Sequence, residues 1–118
     1  GIGSEAPRPP SGDPKAGVWG YQRQAKLSQL TDGDAFTILL AETGLDCGPW
    51  MAGGPPSVRG LDSDRQPLLG PGGQFGGLHP GGCQVAMADG KVRFINDGVD
   101  PDVLVSQVTV ADRGKPVR

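Results

Sequence analysis

Residues 75–97 read FGGLHPGGCQVAMADGKVRFIND, and the fold is decided there. Between a glycine-rich approach and a polar exit lie two short runs, 83–88 and 91–95, joined by Asp89-Gly90. An Asp-Gly pair between two such runs predicts a β-hairpin with a two-residue type I′ loop. Both central residues of that loop need positive φ, which Gly takes freely and Asp tolerates. The loop pairs Ala88 with Lys91, Met87 with Val92, Ala86 with Arg93, Val85 with Phe94 and Gln84 with Ile95. Side chains alternate with a period of two, so Cys83, Val85, Met87, Val92 and Phe94 share the core face. Gln84, Ala86, Ala88, Lys91, Arg93 and Ile95 take the half-solvated face.

Outward from the hairpin, Asn96-Asp97-Gly98 forms a turn, and Asp100-Pro101 suits a helix start with Asp as N-cap and Pro in the first helical position. Val103, Leu104 and Val108 give that helix an apolar stripe ending near Val108. Upstream, 36–42 (FTILLAE) is apolar on both alternating faces, as in a central strand or a buried helix; its shortness and the glycine soon after favour the strand. The preceding Thr31-Asp32-Gly33-Asp34 is turn material. Residues 23–30 read as an extended segment and a turn, or alternatively as a short helix.

The chain has 118 residues and a net charge of −2, enough for one small core and with no polyanion-binding surface, so nucleic acid is not an expected partner. Its 21 Gly and 12 Pro would suggest low complexity if they were spread evenly, but they concentrate in 1–20 and 44–82. The chain therefore divides into a linker or arm (1–16), one globular domain (17–112) and a fraying tail (113–118). The 44–82 segment is a long loop expected to pack back onto the sheet through Trp50 and Met51. The 62–65 patch is solvated, and 70–82 should lie close to other backbone. No run of about 18 apolar residues is present. The fold class is α+β: a small antiparallel sheet with a C-terminal hairpin, short helices and long Gly/Pro-rich loops.

His79 is the only histidine. Geometry argues against pairing it with Asp89 in a catalytic site, since the six-residue strand between them spans roughly 20 Å. A hydrogen bond from His79 to loop backbone is the favoured role. Catalysis would need His79 beside a carboxylate such as Glu42 or Asp32, in a pocket. GPGGQFGG lacks the Gly-Lys-Ser/Thr ending of a nucleotide loop, and one His with two Cys is a poor zinc set. Lys91 and Arg93 are read as a solubilising face.

His79, nine residues, then Asp89-Gly90 resembles the signature of the prepilin-type processing-associated family, which is similar to type II secretion pseudopilins and abundant in planctomycete-type bacteria. LTDGDAFTILLAE resembles that family's Asp-Gly-Thr-Ser-Asn-Thr stretch leading into a strand that ends in Glu. Asp32, Gly33, Thr37 and Glu42 fit, while Asp34, Ala35 and Phe36 depart from the small polar pattern. GVWG near residue 17 and PWM at 49 fit more loosely. The resemblance implies a pilin-like globular head, non-catalytic, in the bacterial cell envelope. Such a head assembles with itself, other pseudopilins or secretion machinery through a hydrophobic N-terminal helix. That helix is also the only expected membrane contact, and GIGSEAPRPP looks like the middle of such a protein. His79, Asp89, Gly90, Asp32, Gly33 and Glu42 then serve as structural motif residues. Pseudopilins commonly carry calcium in a C-terminal loop; Asp62 with Asp64, or Asp97 with Asp100 and Asp102, are the oxygen ligands available, though solvated turn carboxylates are the favoured reading. In an envelope setting Cys47 and Cys83 permit a disulfide, against the alternative of two separate thiols. The rival function is a secreted binding module using Trp50 and the 44–82 loop for carbohydrate or protein.

Overall fold

The computed structural model describes residues 2–3, 18–19, 26–30, 33–49, 51 and 58–109. The hairpin forms as β4 (Gly82–Met87) and β5 (Val92–Asn96), antiparallel. Its turn is one residue longer than the type I′ expectation. The pairs are Cys83 with Ile95, Val85 with Arg93 and Ala86 with Val92, which leaves Ala88, Asp89 and Gly90 as a three-residue loop. Gly90 donates its N–H to Met87 O at 3.0 Å with φ +86°, and Asp89 Oδ1 accepts the Lys91 N–H at 2.9 Å. A single left-handed residue closes this loop, and it is the glycine; Asp89 has no positive φ.

The one-residue slip corrects the expected face assignment on β5. Cys83, Val85 and Met87 are buried as expected, but Ile95 joins them, while Val92 and Phe94 lie on the outer face with Gln84 and Ala86. Lys91 and Arg93 alternate with Ile95, at the exposed rim of the core side.

β2 (Ile38–Ala41) pairs antiparallel with β4, giving the order β2-β4-β5. Among the described residues β2 is therefore an edge strand rather than the expected central one, and Leu40 is half exposed while Ile38 is fully buried. Two 3₁₀ turns, at Leu27–Gln29 and Asp34–Phe36, precede it; the first realises the short-helix alternative. α1 (Pro101–Val108) forms as the sequence predicts. Asp100 Oδ1 accepts the Asp102 N–H at 2.8 Å, and Leu104 and Val108 are buried.

Ile2–Gly3 (β1) pairs in parallel with Arg59–Gly60 (β3), so at that point the expected arm is tied to the 44–82 loop. Met51, the expected anchor of that loop, is almost fully exposed, and Trp50 lies outside the described residues. The anchors are instead Leu61, Leu68, Leu69 and Phe75, which complete the core with Ile38, Cys83, Val85, Met87, Leu104 and Val108. The glycine-rich segment does run against other backbone, in single bridges between Leu69 and Phe75 and between Thr43 and Gly76.

Candidate functional site

The motif residues fall into two clusters at opposite ends of the sheet. At one end, the Asp89-Gly90 turn is clasped to the turn before β2: Asp89 N–H donates to Asp34 O (3.2 Å) and Ala88 N–H to Thr37 O (2.8 Å). Gly33, with φ +92°, begins that turn, and the buried Thr37 donates Oγ1–H back to Gly33 O at 2.9 Å. Asp32 lies outside the described residues.

At the other end, Glu42 follows β2 and His79 begins the turn into β4. Glu42 is fixed by its backbone: its N–H donates to Gln84 O (3.1 Å) and its O accepts from Gly76 N–H (2.7 Å). His79 bridges to Gly82 across Pro80-Gly81. Their side chains meet, with His79 Nδ1 2.8 Å from Glu42 Oε2 and 3.0 Å from Oε1. The favoured partner of His79 was loop backbone; the observed one is Glu42, one of the two carboxylates that a catalytic role for His79 would need beside it. The hydrogen bond from His79 holds the Glu42 carboxyl below its ordinary range, against a smaller opposing effect of desolvation.

A carboxylate on Nδ1 orients an imidazole and leaves Nε2 to face outward, the disposition of a positioned base. The nucleophile that would complete such a site is not supplied by the nearby thiol. Cys83 is fully buried, and its Sγ donates to Gln84 O (3.4 Å) and Glu42 O (3.6 Å). Burial, reinforced by the Glu42 charge, pushes the thiol up to about 11, so it stays protonated. The His79–Glu42 contact links the end of β2 to the turn into β4.

Cys47 and Cys83 are both free, so the disulfide weighed from the sequence is not formed; Cys47 is exposed and bonds to Thr43 O at 3.4 Å. The candidate calcium carboxylates are engaged in local turns: Asp62 Oδ1 accepts Asp64 N–H at 3.0 Å and Asp100 Oδ1 accepts Asp102 N–H. Among the described residues no three His, Cys, Asp or Glu side chains converge, and no helix is long and apolar enough to cross a membrane.

One organising residue gave no signal in the sequence. Gln74 is buried, and its amide accepts from Asp62 N–H (2.9 Å) and donates to Asp62 O (2.7 Å) and Arg65 O (2.6 Å). It ties the 62–65 turn to the glycine-rich segment. Leu61, Leu68, Leu69 and Phe75 did leave a signal, as large apolar residues punctuating a Gly/Pro loop.

Residues 48–102, a little under half of the chain, match a family described as Protein of unknown function (DUF1559). The match runs from the loop through the hairpin into α1 and includes His79, Asp89 and Gly90. No curated protein and no solved structure matches the chain.

Proposed function

We propose that the chain is the non-catalytic structural head of a pseudopilin-like protein of the bacterial cell envelope, assembling with itself, other pseudopilins or secretion machinery through an N-terminal hydrophobic helix. The observation that carries this reading is the outer face of the sheet. The register sets Leu40, Ala86 and Val92 in one row across the three strands and Phe94 in the next. Leu40 is 51 %, Val92 70 % and Phe94 48 % exposed, while the opposite face is filled by the core. An apolar row on a sheet whose other face is already packed is a surface built to be covered. In the resembled family, a long hydrophobic helix precedes the head. The His79–Glu42 pair, lacking a reactive partner among the described residues, is a brace in this reading.

The test uses the natural full-length protein in its own membranes. Its mature N-terminus should be an N-methylated residue opening a hydrophobic stretch, and Val92→Lys should leave that protein folded but lost from assembled material. A mature chain starting near Gly1 and recovered free of the membrane would overturn the reading.

A further inference from the structure

The free edge of β5 is separate from the outer face and carries its own pattern. Met87 N–H donates to Lys91 O (2.8 Å) and Asp97 N–H to Gly81 O (2.9 Å), so the odd-numbered residues of β5 turn their backbone groups toward β4. Val92, Phe94 and Asn96 therefore aim theirs outward. Among the described residues no strand pairs with that edge, and one outward group has a local partner: Asn96 O accepts from Val99 N–H (3.0 Å), leaving its second lone pair.

We propose that this edge pairs with the same edge of a second copy of this chain, antiparallel and centred on Phe94. Only registers that set outward residues opposite outward residues are allowed. Centring on Arg93 stacks like charges, whereas centring on Phe94 matches the whole strand to itself. Phe94 then faces Phe94 of the second copy, and Val92 faces Asn96 at both ends. One residue beyond, Lys91 faces Asp97, again at both ends. Lys91 and Asp97 are exposed, and neither side chain has an ion pair among the described residues. The two-fold repeats this charge match, so a symmetric pair closes instead of growing into a fibre. The two three-stranded sheets become one of six strands. The inference does not depend on the chain being a pseudopilin-like head; it applies equally to the isolated domain.

Sedimentation equilibrium on the native chain, up to about 1 mM, should show a monomer–dimer equilibrium. Lys91→Glu alone and Asp97→Lys alone should each weaken it about tenfold or more, by replacing two attractions with two repulsions. The double variant Lys91→Glu/Asp97→Lys should restore it. Should a single variant fail to fold, the unmodified protein still decides. In a mixture of light and isotopically heavy chains, carbodiimide should give a zero-length Lys91–Asp97 cross-link of mixed isotope. A chain monomeric throughout, a dimer indifferent to both single charge changes, an unrescued double variant or the absence of the mixed cross-link would each overturn the proposal.

Discussion

Gly82 stands where the central strand has no room for a side chain. A β-carbon there would overlap Ile95 O and come within 2.6 Å of Phe94 Cε1, because the Phe94 ring lies over the glycine on the outer face. Gly82→Ala is accordingly expected to destabilise the protein by about 1–3 kcal/mol, and an unchanged urea midpoint would count against the packing described here. The His79–Glu42 pair predicts a pH dependence. The Glu42 carboxyl lies below its ordinary 4.5 in the folded protein, so its contribution is in place above that value and is lost as pH falls through the lower folded one. The melting temperature of the native chain should exceed that of Glu42→Gln at about pH 5, the margin closing on further acidification. A gap that widened in acid would reverse the assignment. His79 and Glu42 were each legible as motif residues, and Glu42 was one of two carboxylates named beside His79, but nothing in the sequence chose that pair over a bond to loop backbone. They are 37 positions apart, and the carboxylate reaches the imidazole only once the 44–82 loop has returned to the end of β2.

At the scale of elements, α1 was legible because its determinants are local: a capping carboxylate, a proline at the first position and an apolar stripe, of which Leu104 and Val108 are buried and Val103 is not. Asp100→Ala should cost roughly 1 kcal/mol in thermal or urea unfolding, with Asp100→Asn recovering most of it. The hairpin was legible as a hairpin but not in its register. Asp-Gly fits a two-residue loop as well as the last two positions of a three-residue loop. Contacts outside the pair decide between them: Asp34 O takes the Asp89 N–H, and Thr37 O takes that of Ala88. A shift of one position then carries Val92 and Phe94 from the core to the outer face. The edge position of β2 was hidden for a related reason. Apolar residues on both its faces read as burial on both faces, whereas Leu40 belongs to the exposed row.

For the molecule as a whole, a segment with little regular structure among its described residues supplies four members of the core, Leu61, Leu68, Leu69 and Phe75. Gln74 holds that segment through three hydrogen bonds to the turn that contains the exposed Arg65. Gln74→Leu should therefore raise the rate of trypsin cleavage after Arg65 by about tenfold or more under native conditions, through easier local opening. An unaltered rate at that bond, followed by mass spectrometry, would show that the loop is held by its leucines alone. The unlike situations of the two thiols have a practical consequence. Cys47 is open to a maleimide at all times, whereas Cys83 reacts only in molecules whose core has come apart. Where reclosing outpaces labelling, the ratio of the two labelling rates, taken within one chain, cancels reagent concentration and gives the fraction of molecules that are open. Without any engineered probe, the protein carries its own gauge of how much of it is unfolded.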